Sequence, residues 1–205
     1  MPRRVVCALL DSGVDVARLP SRHASRAPSM RAVDGAGGWM TIPPKDALGH
    51  GTADATLLLD ASPWIDVTVW RVFDDDPRGS FDRIVSALQA AFRSGAEIIA
   101  CPLGTPDPLL GARIESIVDI ATTAGTVVVA PLSFHGLPSF PGACPGAVGV
   151  VVDPAARDDA PLRDGHRFRA SPRPPEEFSG FPAGPSFAAV RVAAHLARLR
   201  AESSC

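Results

Sequence analysis

The apolar and polar positions along the chain alternate between short β-prone runs and longer helical patterns. Continuous apolar runs, typical of strands buried on both faces, occupy residues 5–10, 66–73, 98–103, 126–130 and 147–152. Helical patterns occupy residues 53–60, 81–94, 111–124 and 186–200. Because such strands separated by helices form parallel sheets covered on both faces, the pattern predicts an α/β fold. We expect three layers, with a mostly parallel twisted sheet flanked by helices.

Two long segments lack both patterns. Residues 17–49 are rich in Ser, Gly, Pro and Arg and are predicted to be loop, with one short strand near residues 30–33. Residues 153–183 are proline-rich and polar, which predicts loops or hairpins. Ser80 is a candidate N-cap for the second helix. We find neither an internal repeat nor a second domain, so residues 1–205 are predicted to form a single domain.

The bulk composition narrows the class of protein. The chain is 46% hydrophobic and 20% charged, which is enough apolar material for a substantial core. A net charge of −2 gives no electrostatic reason to expect nucleic acid or an anionic membrane as a partner. No run approaches the ~20 apolar residues of a membrane span. The beginning of the sequence does not fit a signal peptide, so we expect a cytoplasmic protein.

The cysteines and acidic runs predict neither a metal site nor a cofactor. The cysteines are widely scattered and form no CxxC pair; they are Cys7, Cys101, Cys144 and Cys205. This distribution favours reduced, mostly buried thiols over a disulfide framework or a zinc site. The three consecutive acids at 74–76 are interpreted as a solvated loop.

Three short patterns place reactive side chains at the ends of predicted elements. Asp-Ser-Gly at 11–13 follows the first strand, Gly-His-Gly-Thr at 49–52 precedes the first helix, and Gly-Pro-Ser-Phe-Ala at 184–188 opens the last helix. Local structure alone explains each of them, as an Asx-turn, a capped helix or a serine N-cap. Together they supply a carboxylate, an imidazole and a hydroxyl, the three parts of an activated nucleophile.

The chain resembles the subtilisin-like serine peptidases, or subtilases. Residues 11–13 look like the family's aspartate motif, Asp46 with 49–52 like its histidine motif, and 184–188 like its serine motif. Pro185 stands where the family usually has Thr. The order Asp, His, Ser along the chain is also that of subtilisin. The resemblance covers nearly the whole chain outside the two long loops, and the chain is short for the family.

This resemblance implies a serine endopeptidase with Asp11, His50 and Ser186 as its catalytic triad. His50 would take the proton from Ser186, Asp11 would orient His50, and the reaction would pass through an acyl-enzyme. Subtilases bind a peptide substrate as an added strand, here expected at Leu103-Gly104. The substrate pocket is expected to be apolar and to take a small or apolar side chain. Its candidate residues are Pro102, Leu103, Gly104, Ala130, Pro131 and Leu132.

One residue of the family pattern is missing. Subtilases carry an Asn shortly after the strand predicted at 126–130, where it donates a hydrogen bond to the oxyanion, but this chain contains no Asn. Loss of such a donor costs roughly 10²–10³ in turnover. The Ser186 backbone N–H remains as one donor. Ser133 or His135 is the candidate for the second.

Alternative functions follow from the same residues. A short subtilase without a pro-segment resembles the peptidases that remove leader segments from modified precursor peptides. One such group acts on the small subunit of bacterial quinohemoprotein amine dehydrogenase. The missing Asn instead favours a catalytically impaired module that binds a peptide without cutting it. An α/β-hydrolase esterase fits poorly, because its triad runs Ser, Asp, His and only His195 and Glu202 follow Ser186.

Overall fold

The computed structural model describes residues 1–33, 37–76 and 81–203, and its strands and helices alternate along most of the chain. The strands are β1 (Val5–Asp11), β2 (Ser29–Val33), β3 (Trp39–Ile42), β4 (Ile65–Arg71), β5 (Ile98–Ala100), β6 (Val127–Pro131), β7 (Ser133–Phe134), β8 (Leu137–Pro138), β9 (Val148–Val152), β10 (Leu162–Asp164) and β11 (Arg167–Ala170). The helices are α1 (His50–Ala61), α2 (Phe81–Arg93), α3 (Pro108–Thr123) and α4 (Pro185–Glu202).

Within the described residues, nine strands form one sheet in the order β10-β11-β9-β6-β5-β1-β4-β2-β3. All neighbours from β2 across to β11 pair in parallel, while β3 and β10 pair antiparallel at the two edges. Strands β7 and β8 form a separate hairpin. The strand that ends at Asp11 therefore lies in the interior of the sheet, paired on both sides.

The sheet is covered on both faces, as the apolar runs predict. Successive side chains of a strand point to opposite faces. Cys7 and Leu9 accordingly pack in the cluster that contains α1 and α4, whereas Ala8 and Leu10 pack in the cluster that contains α2 and α3. Burying a side chain such as Leu9 contributes about 1.5–3 kcal/mol. The predicted three-layer, mostly parallel α/β fold is confirmed.

Several element boundaries differ from the predicted ones for local reasons. Strand β5 ends at Ala100 rather than at residue 103, because Pro102 has no N–H to continue the ladder. Helix α1 begins at His50, three residues earlier than predicted, because a carboxylate in the preceding loop binds the N–H groups of its first turn. Strand β3 was not predicted. Ser80, the proposed cap of α2, lies outside the described residues.

The described cysteines agree with the prediction of reduced, buried thiols. Cys7, Cys101 and Cys144 are free and buried, and burial raises the pKa of Cys144 to about 11. Cys205 lies outside the described residues. None of the helices in the described ranges is long and apolar enough to cross a membrane.

Candidate active site

A close-packed turn fixes Asp11 at the carboxyl end of β1. Asp11 is 2% exposed, and its Oδ1 accepts a hydrogen bond from the Ser12 N–H at 2.7 Å. Gly13 follows with φ at 128°, and a Cβ there would lie 2.1 Å from the carbonyl oxygen of Lys45. Only glycine fits this position, because both the backbone angle and the close approach exclude a side chain.

Asp46 fixes the beginning of α1 and ties it to this turn. Its Oδ1 accepts from the Gly49 N–H at 2.8 Å, and its Oδ2 accepts from the Thr52 N–H at 2.8 Å and the Thr52 hydroxyl at 2.6 Å. The Ser12 hydroxyl lies 2.8 Å from Asp46 Oδ1 and accepts from the Gly51 N–H at 3.0 Å. These bonds satisfy N–H groups that every helix leaves free at its first turn. The turn after β1 and the first residues of α1 thus form one hydrogen-bonded unit.

His50 stands on this unit with one ring nitrogen against Asp11. His50 Nδ1 lies 3.2 Å from Asp11 Oδ1 and 3.1 Å from Oδ2, and the imidazole is 28% exposed. Burial disfavours the charged ring, but the Asp11 carboxylate outweighs burial and raises the pKa of His50. Burial also disfavours charge on Asp11, yet the neighbouring His50 lowers the pKa of that carboxyl overall.

A second carboxyl group, Asp54, also faces His50. Asp54 is fully buried, and its Oδ2 lies 3.5 Å from His50 Nδ1. Burial and the negative charge of Asp11 raise the pKa of Asp54 well above its usual value, against the opposing effect of His50. Asp54 was not among the predicted site residues. Its signal was the spacing of four from His50, which places both side chains on one face of a helix.

Asp11, His50 and Asp54 each have one potential metal-ligand atom within 4.8 Å of those of the other two, the only such group in the described ranges. We assign Asp11 and His50 as hydrogen-bonded partners rather than as metal ligands, because the distances from Nδ1 to Asp11 are those of hydrogen bonds. An imidazole held through Nδ1 presents Nε2 to exchange a proton with a nucleophile.

Ser186 lies in the first turn of α4, directly after Pro185. Its hydroxyl donates to the carbonyl oxygen of Pro102 at 2.8 Å and forms no hydrogen bond with His50. The next residue, Phe187, stacks on the His50 ring with centroids 5.3 Å apart and an interplanar angle of 28°. Because Phe187 adjoins Ser186 in the chain, this contact brings the beginning of α4 close to the imidazole. The hydroxyl itself is turned toward Pro102.

The two candidate oxyanion donors lie on the hairpin formed by β7 and β8. Ser133 and His135 are both exposed, and His135 at the turn has φ at 49°. No hydrogen bond or ring contact in the described residues joins either of them to Asp11, His50 or Ser186. Their role remains a prediction.

Two of the predicted substrate residues, Gly104 and Leu132, are at least partly exposed, and the other four are buried. Gly104 is exposed, and a Cβ there would lie 2.0 Å from Ser139 Oγ, so glycine is required at this point. Leu132 lines a cavity of about 500 Å³ together with Ser133, Gly136, Pro138, Phe140, Ala143 and Arg167. The remaining candidates are buried: Pro102, Leu103, Ala130 and Pro131. The burial of these residues does not test whether they contact a substrate.

The fold is that of the subtilisin-like serine peptidases. A solved lanthipeptide protease has a TM-score of 0.72 and 18% identity, over 97% of this chain and 73% of that chain. The nisin leader peptidase NisP from Lactococcus lactis gives 0.72 and 16%, over 100% of this chain and 80% of that chain. Sphericase gives 0.76 and 19%, over 99% and 79%. No family model matches the sequence, and no curated protein matches it either.

Proposed function

We propose that this chain is a serine endopeptidase in which Asp11, His50 and Ser186 form the catalytic triad. One observation carries the proposal. Asp11, buried at the end of β1, binds Nδ1 of His50 at 3.1 Å, while Phe187, next to Ser186, stacks on the same ring. A buried carboxylate, an imidazole and an adjacent hydroxyl are what acyl transfer through serine requires.

In the proposed reaction, the Ser186 hydroxyl turns from Pro102 toward Nε2 of His50. His50 accepts the hydroxyl proton at Nε2 as Ser186 Oγ bonds to the scissile carbonyl carbon. The Nδ1–H stays on the ring, held by Asp11, which stabilises the imidazolium. His50 then returns the proton to the leaving amine, and the acyl-enzyme forms. Water hydrolyses the acyl-enzyme with His50 again as the base.

We propose that the oxyanion is bound by the Ser186 backbone N–H and by one side chain of the β7–β8 hairpin. Ser186 lies in the first turn of α4, where free N–H groups and the helix dipole favour negative charge. The variants Ser133→Ala and His135→Ala identify the second donor. The variant that lacks the second donor is expected to lower kcat by roughly 10²–10³. The other variant serves as its control. If neither changes kcat, this assignment is wrong.

We propose that the substrate is a single precursor peptide from which the enzyme removes a leader segment. Two proteins with similar structures are named as a lanthipeptide protease and a nisin leader peptidase. The cavity beside Leu132 has mainly apolar walls and suits a small or apolar side chain before the cut. An exposed stretch at Gly104 leaves room for an extended peptide.

One observation favours a second candidate, a module that binds a peptide without cutting it. The Ser186 hydroxyl is hydrogen-bonded to Pro102 rather than to His50. Within the described residues, no side chain is hydrogen-bonded to Ser186. If this bond persists when peptide is bound, the serine cannot be deprotonated by His50. The cleft would then hold an extended peptide and release it intact.

Labelling with a fluorophosphonate probe, followed by mass spectrometry, separates the two candidates. The peptidase predicts one adduct on Ser186 that disappears in Ser186→Ala and falls sharply in His50→Ala. Ser116→Ala, an exposed serine on α3, is the matched control and keeps full labelling. A folded protein that forms no adduct would contradict the peptidase and favour the binding module.

A further inference from the structure

Asp54 is a buried carboxyl group that the proposed triad does not use. It lies on α1 four residues after His50 and is fully buried. Neither of its oxygens receives a hydrogen bond from the described residues. Burying an ionised carboxylate without hydrogen bonds costs several kcal/mol. A position of this kind requires either a partner for the charge or a proton on the group.

The charged groups around Asp54 come from four parts of the fold. Asp11 comes from β1, Asp46 from the loop before α1, His50 from α1 itself and Arg191 from α4. The Arg191 guanidinium donates to the carbonyl oxygens of Asp158 and Arg173. In the described residues, His50 is therefore the only cation within ion-pair distance of Asp54.

Asp11 and Asp54 thus compete for one imidazole. When two carboxyl groups share a buried site, one of them ionises and the other retains its proton. Asp11 is the member that ionises, because it has the closer contact with His50 and accepts a further bond from the Ser12 N–H. The shifts in pKa agree, being downward for Asp11 and upward for Asp54.

We propose that Asp54 is a positioning residue that retains a proton and donates a hydrogen bond to Asp11, so that the pair holds His50 while carrying one negative charge. The bond accounts for the proton of Asp54 and for a free acceptor position on Asp11. Asp11 Oδ1 already accepts from Ser12, whereas Oδ2 has no hydrogen-bond partner but His50 among the described residues. A carboxylate has about four acceptor positions, so Oδ2 can accept a second proton donor.

The catalytic consequence of this bond rests on the proposed function. With Asp54 as its donor, Asp11 is held in the orientation that fixes His50 Nδ1–H and directs Nε2 outward. The proton on Asp54 also removes one of the two negative charges that would keep His50 protonated. His50 can then lose its proton at lower pH and act as a base.

Two replacements of nearly the same size separate the donor role from simple packing. Asp54→Asn keeps a neutral donor toward Asp11 and is expected to leave kcat and its pH profile nearly unchanged. Asp54→Val removes the donor and is expected to lower kcat roughly ten- to a hundredfold, with KM unchanged. If Asp54→Asn and Asp54→Val have the same kcat and the same pH profile, Asp54 contributes only packing. A shift of the acid limb to lower pH in Asp54→Asn would show that Asp54 is ionised.

A second measurement does not depend on activity. The infrared C=O band of a protonated carboxyl group is expected at neutral pH in the unmodified chain and should disappear in Asp54→Asn. Absence of this band would overturn the proposal, even if Asp54→Val fails to fold. If the band is present but the fluorophosphonate forms no adduct, the peptidase assignment fails while the shared proton stands.

Discussion

The two sides of the candidate site are held very differently. The base side, formed by Asp11, Asp46 and His50, is cross-linked by short hydrogen bonds between the end of β1 and the beginning of α1. The nucleophile side, formed by Ser186 and the β7–β8 hairpin, has a serine bonded to a backbone carbonyl and a hairpin with exposed polar side chains. The proposed base is preorganised, and the proposed nucleophile and oxyanion donors are not.

This contrast shows which half of the chemistry the fold itself supplies. A preorganised base orients the proton acceptor before substrate arrives. The other half needs a rotation of Ser186 and a second donor. If the proposed mechanism holds, we expect such a site to discriminate among substrates, because only a peptide that assembles the second half would be cut. The predictions below test the two halves separately.

The largest effect is expected from pH, and it tests the base side. In the proposed mechanism, the free enzyme needs neutral His50. Burial lowers the pKa of His50, but the Asp11 carboxylate outweighs burial and holds this pKa above its usual value. We expect kcat/KM to rise by about tenfold per pH unit at neutral pH and to level off only in the alkaline range. The measurement is kcat/KM against pH, with His50 followed by NMR. An acid limb at the usual histidine value of about 6.5 would contradict the prediction.

The raised pKa of His50 also makes the free energy of unfolding depend on pH, and this dependence runs opposite to that of activity. Protonated His50 is favoured in the folded chain, so its contribution to the free energy of unfolding is complete below the unfolded value of about 6.5. That contribution is lost as pH rises through the folded-state pKa of His50, which lies above the unfolded value. Activity should therefore increase over the same interval in which this part of the stability declines.

The next effect comes from the close approach between β1 and α1. In Gly51→Ala, the new Cβ would lie 2.2 Å from the Gly13 carbonyl oxygen and 3.1 Å from Asp11 Cβ. We expect the free energy of unfolding in urea to fall by about 1–3 kcal/mol, together with kcat. Gly180→Ala is the matched control, because nothing lies within 4 Å of that position. Equal stability of the two variants would show that the base side is less tightly packed than described.

Removal of Asp46, the cap of α1, also tests the base side, and we expect a smaller effect. Asp46→Ala deletes the acceptor for Gly49 and Thr52, and we expect a loss of about 0.5–2 kcal/mol with a fall in kcat. Asp107→Ala removes the cap of α3, which accepts from the Leu109 N–H at 2.9 Å, and should change stability without changing kcat. A normal kcat in Asp46→Ala would separate the cap from the orientation of His50.

The smallest effect concerns the nucleophile side. Arg167 lines the cavity beside Leu132, where its charge favours an acidic side chain relative to a neutral one of the same size. In Arg167→Ala we expect kcat/KM for an acidic peptide to fall roughly two- to fivefold, with little change for an apolar one. Arg163→Ala, outside the cavity, is the control. No change in this ratio would place the substrate side chain elsewhere.

Much of the fold could be predicted because it depends on patterns within single elements. Apolar runs predicted the central strands. Three short motifs in the sequence predicted Asp11, His50 and Ser186 as site residues. Strand β3 and the β7–β8 hairpin were missed because they are short and lie within segments without an apolar run. Asp54 was missed because it comes within 4.8 Å of Asp11 only when β1 and α1 pack together. The cavity lined by Leu132 and Arg167 was missed for a similar reason. Leu132 follows β6 and Arg167 lies in β11, and these two strands are distant in sequence.

The place of β1 inside the sheet also bears on how the chain folds. Val5 pairs with Ile65 on one side, and Cys7 pairs with Ile98 on the other. Both pairings are parallel and require long crossovers, so the strand that carries Asp11 cannot be completed by its neighbours in sequence. Folding dominated by such distant pairings takes on the order of milliseconds to seconds. During that time β1 is an exposed apolar strand, so dilute refolding or chaperone supply should improve the yield of native chain.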